Sequence, residues 1–369
     1  MKRLTYLTYQ TFPSEKANSL QTISNIKYLV RNNVEVELIF PLREKNSNGN
    51  IENIKKYYSF SENFKVTGLS HLLPFGKVNF MPSLFFHISH FLWSYYVVSF
   101  KINKFSNDSY MTRSDWILYF LAIKGKRVIF ECHQSSRIRS FVLKRVRNNK
   151  NVKIIFLNEN LQKFYGMNNN NSTVLHNGVD PDIFLNSSNE YEKESSEIIF
   201  TGNLKRFEES RGLEFIIQAF KNSEFLQKHT LSIVGGPDEE AQELKKIIEK
   251  AGLTRNLIIT GQINRSNIGS VYQNSKIGIL INSSSNKHSY EFTSPLKYFE
   301  YVYANLTVVG VDFPSHRVLP ESSKIIFFEE NNYKSFELAI KKALTKEIKY
   351  NNFGITLQAR AEKLISLLT

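Results

Sequence analysis

Apolar positions along this chain fall into two alternating patterns. Short unbroken apolar runs, bounded by Gly, Pro or Asn, alternate with longer stretches in which apolar residues recur every third or fourth position. The first pattern predicts buried strands and the second amphipathic helices. In the first half, residues 3–9 (RLTYLTY), 34–41 (VEVELIFP), 127–133 (RVIFECH), 153–158 (KIIFLN) and 172–177 (STVLHN) read as strands, with a helix across 19–32. The second half repeats the rhythm, with strands at 198–204, 231–236, 256–261, 276–282, 306–310 and 324–330 and helices at 212–222 and 238–252. In the last of these Leu244, Ile247, Ile248 and Ala251 share one face, and Gly252 ends the helix. A polar, acidic stretch at 186–197 (NSSNEYEKESSE) reads as a linker. This alternation predicts an α/β protein with two open parallel sheets in succession. Ligand crevices are then expected at the carboxyl ends of the strands, and a cleft between two such domains is the default active site.

One stretch breaks the pattern. In 293–310 (TSPLKYFEYVYANLTVVG) a helix is expected from Pro295, with Ser294 as its cap and Asn305 as its stop. Counting from Leu296, the apolar stripe runs through Phe299 and Tyr303 and includes Glu300. An ion pair with Lys297, or an exposed edge, explains a carboxylate there most simply. A second irregularity is 82–100 (PSLFFHISHFLWSYYVVSF), densely aromatic and without charge. It reads as a core helix or as a partly exposed interfacial helix, which the strongly basic 136–150 would complement by attracting anionic lipid.

Length and charge sharpen this picture. At 369 residues two domains of ordinary size are expected, and 41% hydrophobic content can build their cores. The single cysteine, Cys132, excludes an intramolecular disulfide and fits a reducing compartment. The N-terminus lacks the pattern of a secretory signal, no segment offers a spanning apolar run, and a cytoplasmic protein is expected. The net charge of +14 is unevenly spread: residues 1–185 hold 25 Lys and Arg against 12 Asp and Glu, the rest 23 against 22. The first half is therefore expected to face something anionic, such as an acidic membrane surface or a phosphorylated substrate. No recognised nucleic-acid module accompanies that charge.

Metal-ligand spacing, a nucleophile elbow, a P-loop and a dinucleotide fingerprint are all missing from the sequence. Anion-binding chemistry is present. In 200–212 (FTGNLKRFEESRG) Gly202 stands at a strand end, followed by Asn203, Lys205, Arg206 and Arg211, and Gly212 opens a helix. A loop with three cations at a sheet edge suits a diphosphate. Gly235 permits close backbone approach at another strand end. Thr293, Ser294, Pro295 and Leu296 form a helix N-terminus able to receive an anion. Glu300, further in, could accept hydrogen bonds from a ribose diol.

These segments together resemble a bacterial family 4 glycosyltransferase of the GT-B fold, also called glycosyl transferases group 1. The resemblance rests on VLHNGVDPDIF (174–184), FTGNL and RGLEFIIQAF (200–220), LSIVGG (231–236) and SPLKYFEY (294–301), with RVIFECHQ (127–134) and TFPSEKANSLQ (11–21) in the first half. It implies two Rossmann-like domains facing each other across a cleft: 1–180 for the acceptor and 181–350 for the nucleotide sugar, with 351–369 a helix packing back on the first. It implies retention of anomeric configuration, no required metal or other cofactor, and a UDP- or GDP-linked sugar as donor substrate.

Residue by residue, the resemblance makes Glu300 the second glutamate of the family's E-x7-E motif, holding the ribose. It places Arg211 on the diphosphate in place of a lysine, and Asn203 where an arginine is common, so that Lys205 or Arg206 would compensate. Phe292 occupies the first glutamate's position, so either Glu291, one residue before it, reaches the donor sugar as a catalytic residue with His133 and Arg211, or the sugar hydroxyls are recognised differently. His133 matches a histidine near the reacting carbon, and Lys16 and Asn18 fall on the acceptor side. The expected function is a retaining hexosyltransferase acting on a lipid-linked or glycan acceptor in bacterial surface polysaccharide synthesis, peripheral to the inner face of the membrane. A nucleotide-sugar epimerase of similar architecture and a non-catalytic, degenerate transferase are the alternatives.

Overall fold

A computed structural model describes residues 2–14, 16–44, 46–71, 82–102, 109–167, 170–185, 196–206 and 209–368. The chain divides into two compact units, 1–175 with 357–369, and 176–356. The first boundary lies a few residues before the expected 180. The reason is local: Val179 bridges to Thr356, and Asn177 bonds to Ser294, all within the second unit. Most of the predicted linker, 186–195, lies outside the described residues.

The first unit holds a parallel sheet of seven strands: β1 (Lys2–Leu7), β2 (Val34–Leu42), β3 (Lys65–Ser70), β4 (Ser109–Thr112), β5 (Val128–Cys132), β6 (Val152–Phe156) and β7 (Ser172–Val174). Their order is β3-β2-β1-β4-β5-β6-β7, so the sheet reverses direction of growth beside β1. Strands covered by helices on both faces read as continuous apolar runs, and VIFEC of β5 is buried at every position. The price of that uniformity is Glu131, a fully buried carboxylate. Arg113 meets it at 2.8 Å, and Arg360 of the C-terminal helix Leu357–Ser366 bonds its other oxygen. Arg360 also donates to the Leu175 carbonyl at 2.6 Å. The same helix buries Leu357, Ala361 and Leu364 in the core around Leu4, Ile26 and Leu38.

The second unit carries β8 (Ile198–Thr201), a short antiparallel hairpin β9 (Lys205–Arg206) and β10 (Glu209–Ser210), β11 (Leu231–Val234), β12 (Leu257–Gly261), β13 (Ile277–Leu280), β14 (Thr307–Val311) and β15 (Ile326–Phe328). Its parallel sheet runs β12-β11-β8-β13-β14-β15. Alternation along β8 sends Ile198 and Phe200 into one apolar cluster and Ile199 into another, so both faces are packed. Helix Asp238–Lys250 begins with three acids, which suits the positive end of its dipole, and buries Leu244 and Ile248. Ile247, predicted on that face, lies at its exposed edge. Gly252 and Asn305 take left-handed φ at the helix ends where the sequence placed stops.

Segment 82–100 forms helix Pro82–Tyr96 continued by a wider turn, Val97–Lys101. It is not a buried core helix. Trp93, Val97 and Val98 face inward, while Leu84, Ile88, Phe91, Leu92, Tyr95 and Phe100 stand exposed along one stripe. Among the described residues no helix is long and apolar enough to cross a membrane.

Candidate functional site

In the second unit the predicted residues converge at the carboxyl end of β8. Gly202 follows that strand with φ +116°, in the region that favours glycine. A Cβ built there would lie 3.7 Å from an Arg211 nitrogen, 3.5 Å from the Lys297 Cε and 3.7 Å from its Nζ. Arg211, only 9% exposed, donates to the Asn203 carbonyl at 3.3 Å. Lys297 is 7% exposed, with its ammonium 3.5 Å from the centre of the Phe200 ring. Two cations thus border one exposed glycine. Gly235 makes this arrangement possible: a Cβ on it would fall 1.9 Å from the Gly202 carbonyl oxygen, so the close approach foreseen there is made by Gly202 itself.

Glu300 is buried, 4% exposed. Its partner is neither Lys297 nor solvent: Arg265 donates to one oxygen at 2.8 Å and the Tyr272 hydroxyl to the other at 2.8 Å. Burial alone would lower the Arg265 pKa, but the adjacent Glu300 charge outweighs it and holds the guanidinium ionised. Burial and the same charge push Tyr272 well above its ordinary range. Tyr272 also meets the Thr201 hydroxyl at 2.9 Å, and Tyr301 accepts the Thr201 N–H at 3.0 Å. The helix Leu296–Tyr303 is therefore tied to the residue immediately before Gly202. A carboxylate offers about four acceptor sites, so two bonds leave capacity for a ligand hydroxyl.

The remaining predicted residues are placed differently. Lys205 lies exposed on the hairpin with its ammonium 2.8 Å from Glu240, and the Arg206 side chain lies outside the described residues. Thr293, Ser294 and Pro295 are buried, and the helix begins at Leu296. Ser294 makes no cap bond; its hydroxyl and carbonyl receive the Asn177 N–H at 3.4 Å and side-chain amide at 2.6 Å. Glu291 sits on a turn, His288–Phe292, with Lys287 at 3.7 Å, while Phe292 points into the core. Among the described residues no three His, Cys, Asp or Glu gather as metal ligands.

Residues 186–359 match the model of the family described as glycosyl transferases group 1. That span covers nearly the whole second unit and all of the residues just described from Gly202 onward. The second unit is a glycosyl transferases group 1 domain. No curated protein matches the chain in sequence. Solved structures of similar fold include a glycosyltransferase from Rickettsia africae ESF-5, 14% identical with a TM-score of 0.72, covering 100% of this chain and 98% of that one. Sucrose-phosphate synthase from Thermosynechococcus elongatus is 12% identical with a TM-score of 0.67, covering 100% and 95%. HepE from Anabaena, in complex with UDP and glucose, is 13% identical with a TM-score of 0.62, covering 100% and 97%. The likeness spans both units and establishes the GT-B fold, two parallel-sheet α/β units, for this chain.

The first unit contains a cavity of about 1060 Å³ bordered by Lys16, Asn18, His133, Tyr9, His90 and Arg43, among others. It lies at the carboxyl ends of β1 and β5, beside the reversal in strand order. Lys16 is exposed, with Glu44 at 3.7 Å. The Asn18 carbonyl accepts from Arg113 at 3.1 Å, linking the cavity rim to the buried Glu131 cluster. His133 Nε2 stands 3.7 Å from Glu131. Burial and the Arg113 charge depress its pKa to about 3 despite that carboxylate, so the imidazole is neutral at neutral pH. His90 stacks on Tyr9 at 4.3 Å and is likewise depressed to about 3, by burial and by Arg43. Arg265, Tyr272, Arg43 and His90 have no place in the expectations drawn from sequence, and Lys297 enters them only as an ion-pair partner for Glu300, not as a site residue. Only Lys297 carried a signal: it stands three residues before Glu300, hence one turn away on the same side of a helix.

Proposed function

We propose that the protein is a retaining glycosyltransferase that takes a sugar from a UDP- or GDP-linked donor held by the second unit. The observation that carries this reading is the tie between Gly202, Arg211 and Glu300 at the end of β8, inside a glycosyl transferases group 1 domain. In this reading the diphosphate lies against Gly202, where no side chain blocks its approach and Arg211 meets its charge. The ribose diol adds its hydroxyls to the Glu300 carboxylate. Binding of UDP and glucose by HepE, a protein of the same fold, supports a nucleotide of this class.

The chemistry requires no protein nucleophile. The bond between the anomeric carbon and the diphosphate oxygen breaks, and the acceptor oxygen bonds to that carbon from the same face. The acceptor's proton passes to a diphosphate oxygen. Cationic groups fixed in a partly dry site stabilise the leaving oxygen as its charge develops, at no cost of reorganisation. Holding donor and acceptor in register supplies most of the remaining acceleration.

A lipid-linked acceptor is favoured by helix Pro82–Tyr96. Phe86, His87 and His90 on one side border the first-unit cavity, while the exposed apolar stripe from Leu84 to Tyr95 lies on another. Trp116 and Phe120 continue that stripe, in edge contact with Phe91 at 4.9 and 5.3 Å. The neighbouring helix Arg137–Val146 exposes Lys144 and Arg145. Aromatic and apolar groups at headgroup depth beside cations suit an anionic membrane surface at the inner face, with the acceptor head entering the cavity. A soluble epimerase has no use for such a stripe.

The test is incubation with UDP- and GDP-linked sugars, followed by proton NMR of the slow hydrolysis in which water replaces the acceptor. Consumption of one donor with release of the sugar in the donor's own anomeric configuration is expected. Inversion, or epimerisation without release, refutes the reading. Binding without turnover, even when polyprenyl-linked acceptors are supplied, moves the protein to the degenerate class.

A further inference from the structure

We propose that Lys297 is the second cation of the diphosphate site, acting with Arg211 across Gly202. The inference rests on the reading of the second unit as a nucleotide-sugar site and assigns a residue that this reading left out. Among the described side chains of the loop after β8, Arg211 provides one of the two charges that a diphosphate needs. Arg211 is turned to Gly202, but Asn203 is neutral and Lys205 is carried away on the hairpin to Glu240. The other charge at Gly202 comes from a different element. Lys297 belongs to the first turn of helix Leu296–Tyr303, and its Cε and Nζ stand 3.5 and 3.7 Å from the point where a Gly202 side chain would begin.

The Arg211 nitrogen is 3.7 Å from that same point. Two like charges directed at one spot repel, and an anion between them converts that repulsion into attraction. The Phe200 ring beneath Lys297 holds the ammonium in place through its π face, at 3.5 Å. The helix then presents a cation and a carboxylate three residues apart on adjacent turns. Three residues rise about 4.5 Å along a helix axis, a separation suited to a phosphate and the ribose attached to it. Gly202 is exposed, so a ligand can reach the spot, and both cations are largely buried around it.

The test uses the full chain, with UDP, GDP and ADP titrated calorimetrically and the corresponding nucleosides followed by ligand-observed NMR. Lys297→Met keeps the length of the side chain and its packing on Phe200. It is expected to weaken the bound nucleoside diphosphate at least about tenfold, as loss of one charge-assisted contact implies, and to leave nucleoside binding unchanged. Adding Asn203→Arg to Lys297→Met returns a cation next to Gly202 and is expected to recover most of the diphosphate affinity. Unchanged diphosphate affinity in Lys297→Met, or equal weakening of diphosphate and nucleoside without recovery by Asn203→Arg, overturns the assignment. If the wild type binds none of the three diphosphates, the nucleotide reading itself fails and this inference with it.

Discussion

Glu300 and Arg265 form an ion pair at 2.8 Å within the second unit, and Tyr272 bonds the other Glu300 oxygen at 2.8 Å. A carboxylate this enclosed is held in one orientation by two partners. That fixed orientation is what a ribose-binding group needs, and it also makes the residue part of the fold.

The two roles separate by substitution. Glu300→Ala leaves the Arg265 guanidinium without its counter-charge, and because Arg265 is itself about a third exposed to water, a loss of about 1–3 kcal/mol is expected in urea unfolding. Glu300→Gln retains an acceptor for Arg265 and costs less stability. If Glu300 serves the ribose, Glu300→Gln still weakens nucleotide binding, by roughly tenfold for one charged hydrogen bond, while Tm stays within a few degrees of the wild type.

Gly235→Ala tests the geometry at the end of β8. The new methyl would fall 1.9 Å from the Gly202 carbonyl oxygen, backbone that cannot rotate away. The two strand ends must separate, and Gly202 moves from Arg211 and Lys297. Loss of diphosphate binding is expected together with destabilisation of at least about 1–3 kcal/mol, the range for overpacking a closed site.

Stability should fall in acid through three histidines. Burial holds His90 and His133 at about 3 and His316 at about 4, against an ordinary value of 6.5. Their folded pKa values are depressed, so below pH 6.5 the unfolded chain takes up protons that the folded chain refuses. The stability they contribute is present in full above pH 6.5 and declines as pH drops towards 4, by up to about 1.4 kcal/mol per pH unit for each histidine. Urea midpoints measured between pH 7 and pH 4 check the slope, and His316→Asn should flatten it by one histidine's share.

Membrane association makes a separate prediction. Exchange of Phe91 and Leu92 for serine removes exposed apolar surface without opening the core, since both are exposed. Flotation with vesicles rich in anionic lipid is expected to fall sharply, and exchange of Lys144 and Arg145 for glutamine to make the remaining binding insensitive to salt. Equal flotation with neutral and anionic vesicles would contradict the role assigned to the basic helix.

Much of the architecture was legible because parallel strands buried on both faces leave unbroken apolar runs, as in VIFEC and IIFT. Strands β3 and β4 left no such mark: KVTGLS is half exposed and rich in small or polar residues, and SYMT has only four positions. At the site, glycines and cations after β8 drew notice through spacing along the chain. The partners that give those residues their environment are remote in sequence: Arg265 lies 35 residues before Glu300, and Arg360 lies 229 after Glu131. Ser294 illustrates the same limit, since a local cap was the natural expectation and the tertiary bond from Asn177 took its place. The aromatic helix could be recognised as unusual, but which of its faces stays exposed is decided by the elements packed against it.

The most direct test of the account is calorimetric titration of UDP, GDP and ADP into the wild type and Glu300→Gln. The account predicts that one nucleoside diphosphate binds the wild type in preference to the others, and that its affinity drops by about tenfold in the variant while the fold survives. Absence of binding by all three, or equal affinity in wild type and variant, would contradict it.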